Sequence, residues 1–344
     1  MMDDSSALVD RLRSRCEESA SASAIDQRRA EMLTDALRGY PETPICHYEV
    51  TIAGRRRSIL LKLEGHSPWH SIKGRTAIGL LTSALHELAA ERRIVESTSG
   101  NLGVAIAALS AMCGLRFSAI VDDRLPHHLR ETMWSFGAEI ITVDTPDGDG
   151  LLARLDRARE LADADPAVLW LNQYENPANP AVHELWTGPE ILRQVPQTQA
   201  VFVGVSTGGT LAGIARAVRA AGSPCAVVAV DVAGSSAITP IPGLRSITGI
   251  GASTPAAHVD ASAYDAFEAV ESSDAVTTCH VVLQATGHAL GGSSGAVVAA
   301  CLRRMEHDPG LRHAVCLCPD LGDSYADTIY NPDWVARLRE ATRD

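Results

Sequence analysis

Short apolar, β-branched runs alternate with helix-patterned stretches along most of this chain, and that alternation admits few folds. The runs fall at 93–96, 117–121, 139–143, 168–171, 200–205 and 225–231, with helical segments between them. Short, largely apolar runs of this kind read as strands buried on both faces, and intervening helices return the chain so that the strands lie parallel. The expected fold class is therefore α/β, with open sheets covered on both sides. Residues 1–40 read as a polar helical segment marked by Leu8, Leu12, Leu33 and Leu37. A hairpin follows, with strands at 46–52 and 58–63 around Ala53-Gly54. The segment 101–113 reads as an Ala-rich helix ended by Gly114. A long loop at 233–255, rich in Gly, Ser and Pro, stands out because long loops in compact domains are usually functional.

The chain has 344 residues, which at about 150 residues per domain suggests two domains or one large unit. At 46% hydrophobic residues it can bury a sizeable core, and with four Phe, five Trp and six Tyr that core must be aliphatic. A formal net charge of −12 argues against a nucleic-acid binder and against anionic membrane surfaces, both of which need a basic footprint. No window approaches the roughly 18 apolar residues of a membrane span, and Met1-Met2-Asp3-Asp4-Ser5-Ser6 leads into no signal-peptide pattern. The eight cysteines, at 16, 46, 113, 225, 279, 301, 316 and 318, form no CxxC pair. They read as reduced thiols, with no metal site, which makes the expected compartment the cytoplasm.

Four polar, glycine-containing segments fall at or near the carboxyl ends of expected strands, where open parallel sheets bind ligands. Ser206-Thr207-Gly208-Gly209-Thr210 joins the strand 200–205 to a helix and reads as a phosphate cup: glycines admit an anion to backbone N–H groups at a helix start. It lacks P-loop spacing, and a tight turn is the alternative. Glu96-Ser97-Thr98-Ser99-Gly100-Asn101 joins another strand to a helix. One residue would suffice for an N-cap, and the surplus of donors suits a carboxylate. Ser71-Ile72-Lys73-Gly74-Arg75 carries one of only two lysines in the chain, the other being Lys62. Only lysine supplies a primary amine for a Schiff base, although a solvated charge is the alternative. Gly291-Gly292-Ser293-Ser294-Gly295-Ala296 precedes a helix as a further cap or anion site. Together they are the parts needed to hold pyridoxal phosphate and an amino acid.

From about Ile45 to Trp334 the chain resembles the fold-type II pyridoxal-phosphate enzymes, specifically the cysteine synthase superfamily. The resemblance implies two doubly wound open-sheet domains of the tryptophan synthase β type. It places an N-terminal helical extension at 1–42, a smaller mobile domain at 66–175, and a larger domain at 43–65 with 176–344, the cofactor lying in the cleft. It makes Lys73 the Schiff-base lysine and general base. Asn101 would face the cofactor's phenolic oxygen, residues Ser206, Thr207, Gly208, Gly209 and Thr210 would hold its phosphate, and Ser293 would face its ring nitrogen. Thr98, Ser99, Asn101 and Gln173 would grip the substrate carboxylate. Homodimerisation is implied as well.

Within the superfamily, Thr248-Gly249-Ile250-Gly251-Ala252-Ser253 and the tail from Cys318-Pro319-Asp320 to Tyr330 are similar to a branch that makes N-(2-amino-2-carboxyethyl)-L-glutamate, a precursor of 2,3-diaminopropionate in specialised metabolism. The implied reaction is a β-replacement on an O-activated L-serine, through an aminoacrylate, with an amine nucleophile such as L-glutamate. For that nucleophile Arg245, backed by Arg75, is the candidate cation. Two features depart from the family. Leu102 stands in the substrate loop where a Thr is usual, and His66-Ser67-Pro68-Trp69-His70 with Gly74 replaces the common approach to the lysine. The rival readings are a cysteine synthase using sulfide and a catalytically weak cofactor-binding partner protein. A nicotinamide dehydrogenase is disfavoured because no GxGxxG follows the first strand of a βαβ unit.

Overall fold

The computed structural model describes residues 24–85, 87, 92–145 and 150–341. Of the N-terminal segment read as helix, residues 24–38 form one, α1 (Ala24–Arg38), and residues 1–23 lie outside the described residues. Two compact units emerge. One contains the described residues up to Pro41 together with Lys73–Trp186; the other contains Glu42–Ile72 and the described residues from Thr187 onward.

The first unit is built on four parallel strands in the order β5-β4-β3-β6: β3 (Arg93–Ser97), β4 (Arg116–Asp122), β5 (Glu139–Val143) and β6 (Val168–Trp170). Helix α2 (Lys73–Ser83) leads into β3, helices α3 (Asn101–Cys113), α4 (His127–Ser135) and α5 (Gly150–Ala164) make the three crossovers, and α6 (Ala178–Val182) runs on into a π-helical turn at His183–Thr187. Because α3 carries small residues on almost every face, it is buried nearly all round, from Leu102 to Ser110. Gly114 ends it in the left-handed conformation at φ 62°, with the Leu115 N–H donating to the Ser110 carbonyl at 2.8 Å. Val95, Ile120, Ala158 and Val168 form a core between the sheet and α5.

The second unit has six strands in the order β1-β2-β10-β7-β8-β9. The hairpin β1 (Ile45–Ile52) and β2 (Arg55–Leu63) is antiparallel, and turns through Ala53 and Gly54, both at positive φ. Strands β7 (Ala200–Gly204), β8 (Ala226–Val232), β9 (Ala266–Val270) and β10 (His313–Cys318) run parallel, with β10 inserted between β2 and β7. Helices α7 (Gly188–Gln194), α8 (Gly209–Ala220), α9 (Ser272–Thr286), α10 (Gly292–His307) and α11 (Pro332–Ala341) belong to this unit. Its core is aliphatic, as the composition requires, with Phe202 its fully buried aromatic. Seven cysteines are described, all as free thiols, and six of them are buried. No described helix is long and apolar enough to cross a membrane.

Candidate active site

The first unit presents a lysine beside a strand-to-helix loop. Lys73 is the first residue of α2, so its amine stands at the positive end of the helix dipole, which disfavours the ammonium form. Burial lowers its pKa to about 8, and the neighbouring Glu96 limits the fall. Its Nζ lies 3.5 Å from Gln173 Oε1. Gln173 ties three elements together: its Nε2 donates to the Ser97 carbonyl at 2.8 Å, its main-chain N–H to Glu96 Oε1 at 3.4 Å, and its carbonyl accepts from Asn179 Nδ2 at 2.7 Å.

The loop after β3 makes its turn at Gly100, φ 148°, where a Cβ would lie 2.6 Å from Leu129 Cδ1. Thr98 Oγ1 accepts from the N–H groups of Gly100 at 3.1 Å and Gly103 at 3.0 Å, so this hydroxyl caps α3. Ser99 is exposed at the tip, and Asn101 is half-buried as the first residue of α3.

The second unit presents neutral donors. Directly after β7, Ser206-Thr207-Gly208-Gly209-Thr210 leads into α8 with a buried start that no side chain caps. Gly208 sits at φ 83°, and a Cβ there would meet Val259 Cγ2 at 2.5 Å. A helix start of this kind leaves N–H groups that an anion satisfies. Ser293, in the first turn of α10, is 1% exposed, and its Oγ has no hydrogen-bond partner among the described residues. A Cβ on Gly249, φ 82°, would lie 3.7 Å from that Oγ and 3.5 Å from the Tyr325 hydroxyl, so the backbone leaves room there. Each unit thus carries groups that fit part of a phosphorylated pyridine aldehyde: the first an amine of lowered proton affinity, the second a glycine cradle at a helix start and a buried hydroxyl without a partner among the described residues.

The family model described as "Pyridoxal-phosphate dependent enzyme" matches residues 36–320. The chain belongs to that family. Its cofactor is pyridoxal 5′-phosphate, and it is a β-substituting synthase of the cysteine synthase type. The N-(2-amino-2-carboxyethyl)-L-glutamate synthase of Ralstonia nicotianae is 36% identical over 90% of this chain and 92% of its own length. That of Cupriavidus metallidurans is 34% identical over 86% and 89%. The O-acetylserine-dependent cystathionine β-synthase of Helicobacter pylori superposes with a TM-score of 0.78 at 26% identity, covering 87% of this chain and 98% of that one.

In this synthase the site residues read from sequence are not all placed alike. Thr98 caps α3 and Gln173 lies beside Lys73, both buried, while Ser99 is exposed and Asn101 half-buried at the start of α3. Arg245 lies in the long loop, its Cδ 2.9 Å from where a Gly251 Cβ would stand, and its charge acts on buried Asp231. Ser235 pins the same loop, donating to Asp231 Oδ2 at 2.8 Å and accepting from the N–H groups of Ala237 and Ala252 at 3.1 Å each.

Sequence reasoning missed His183 and the pairing of Tyr325 with Asp320, and it gave Arg75 a different part, as the cation behind Arg245. His183 is buried, its Nε2 is 3.1 Å from Thr76 Oγ1, and burial together with Lys73 and Arg75 keeps it neutral. Arg75 is wholly buried, its guanidinium 4.6 Å from the Trp186 ring centre and 5.3 Å from that of Tyr40. The Tyr325 hydroxyl donates to Asp320 Oδ2 at 2.7 Å, and burial and that carboxylate push its pKa well up. The Asp320 and Tyr325 signal was visible in the tail motif; the other two are set by tertiary packing.

Proposed function

We propose that this synthase joins the amino group of L-glutamate to the β-carbon of an O-activated L-serine, giving N-(2-amino-2-carboxyethyl)-L-glutamate. The observation that carries the reading is the near full-length similarity to two synthases of that name, at 36% and 34% identity. Lys73 holds the cofactor and, once released from it, takes the α-proton of the substrate, its low proton affinity keeping the amine available at neutral pH. Gln173 fixes the direction of that amine. Thr98, Ser99, Asn101 and Gln173 bind the substrate carboxylate. In the second unit, Ser206, Thr207, Gly208, Gly209 and Thr210 hold the phosphate, and Ser293 meets the ring nitrogen as a neutral partner. When bound, the cofactor acts as an electron sink that lets the α-proton and then the β-substituent leave. Ser293 would offer the ring nitrogen a neutral hydroxyl in place of a carboxylate. Homodimerisation and a cytoplasmic setting belong to the same reading, supported by the family resemblance and the reduced thiols.

The test supplies purified enzyme with O-phospho-L-serine or O-acetyl-L-serine, each with L-glutamate or sulfide, and detects products by mass. The glutamate adduct is the expected product. A product formed with sulfide alone would assign the chain to cysteine synthesis instead, and no product from any pair would favour a partner protein.

A further inference from the structure

The amine of Lys73 has a carboxyl neighbour that the proposed reaction does not yet use. Glu96, on β3, is fully buried. Its Oε1 accepts from the Gln173 main-chain N–H at 3.4 Å, the Gln173 side chain and the Asn172 main chain also favour its charged form, and its Oε2 has no partner among the described residues. A carboxylate sealed from water for structural reasons gathers several donors or a cation in direct contact. Glu190 shows that arrangement here, bonded to Lys62 and to both the N–H and the hydroxyl of Thr43. Glu96 keeps one buried oxygen without a partner among the described residues, which suits a carboxyl that is neutral for part of its working life.

Gln173 links the two groups, since the residue whose main chain holds Glu96 also meets Lys73 through its side-chain oxygen. Among the described residues, Arg75, covered by two aromatic rings, and His183, which stays neutral, also lie near Lys73. Burial raises Glu96 to about 8 and lowers Lys73 to about 8, so the two groups hold a proton with similar strength.

We propose that Glu96 is the proton partner of Lys73, a positioning residue that holds the proton while the amine is neutral and balances the ammonium when the amine takes it. In the exchange one N–H bond of the Lys73 ammonium breaks as the O–H bond of Glu96 forms. Ammonium and carboxylate become amine and carboxylic acid, the pair stays neutral overall, and no other reactant is consumed. Lys73 can then offer its lone pair without leaving an uncompensated charge in the first unit. The inference rests on reading Lys73 as the cofactor lysine.

The chain's two lysines make the test direct. Full-length protein stripped of cofactor and labelled with ¹⁵N at lysine Nζ gives two resonances to follow with pH, and infrared spectroscopy follows the acid carbonyl band of Glu96. In Glu96→Gln, losing the neighbouring anion should lower the Lys73 midpoint by about one pH unit while Lys62 stays put. The acid band seen at neutral pH in the parent should vanish. In Lys73→Met that band should persist to higher pH, which carries the test if Glu96→Gln does not fold. An unmoved Lys73 midpoint, or a Glu96 already ionised at pH 6 in the parent, would overturn the proposal. Failure of the cofactor reading is distinguishable, because it would appear as loaded protein whose visible absorption survives Lys73→Met.

Discussion

Two lysines in two regions of this molecule show how burial can make the same side chain inert or reactive. On β2 of the second unit, Lys62 is fully buried and donates to the Thr43 carbonyl at 2.6 Å, to Gln194 Oε1 at 2.7 Å and to Glu190 in a direct ion pair. All three protons of its ammonium have acceptors, so the charged form is held in place. At the start of α2 in the first unit, Lys73 meets Gln173 Oε1 at 3.5 Å and a carboxyl that itself favours the neutral state. The helix dipole and burial then push it toward the free amine. The same burial thus has different outcomes: at Lys62 three acceptors surround the amine, whereas at Lys73 desolvation outweighs Glu96 and lowers the pKa to about 8.

The sharpest break of the comparison is to remove each lysine in turn. Lys73→Ala should lower turnover by about 10²–10⁴-fold or more and abolish the visible absorption of the bound cofactor, with little change in unfolding midpoint. Lys62→Met should do the reverse. It leaves Glu190 buried and unpaired, a loss of about 3–5 kcal/mol by denaturant unfolding, while folded protein still takes up cofactor. Adding Glu190→Leu should recover much of that stability. If Lys62→Met loses cofactor absorption without losing stability, the roles assigned to the two lysines are wrong.

A subtler change concerns Glu96. In the unfolded chain it ionises near its ordinary 4.5, whereas in the folded protein burial raises it to about 8. The folded state thus binds the extra proton, and stability is lost as pH rises from 4.5 toward 8. Glu96→Gln removes that loss and should stabilise the protein at pH 7 by on the order of 1–3 kcal/mol, read by denaturant unfolding. The smallest effect is on rate: capture of free cofactor should rise with pH and level off above about 8, where Lys73 has lost its proton, instead of near the ordinary 10.5. Stopped-flow mixing checks it.

Much of the fold was legible in local pattern. The helix at Asn101–Cys113 was expected to the residue, because its run of small apolar residues ends at a glycine that only a left-handed cap explains. The alternation of strands and helices set the α/β class and placed the polar loops at strand ends. The strand β9 was not expected, since Ala266–Val270 is half-buried along most of its length and carries Glu268, so its apolar signal is weak. For the candidate site, Lys73, the cradle before α8 and Ser293 announce themselves by residue type at a helix start. The partners of Thr98, Gln173 and Arg245, and the burial of Glu96, His183 and Arg75, depend on which elements the fold brings together. Glu96 read simply as the end of a strand.

The most direct measurement locates the cofactor. Borohydride reduction of the loaded enzyme fixes the cofactor to whichever amine carries it, and peptide mass spectrometry finds the modified lysine among only two in the chain. The structure predicts a single adduct on Lys73 and an unmodified Lys62. An adduct on Lys62, or on neither, would contradict it.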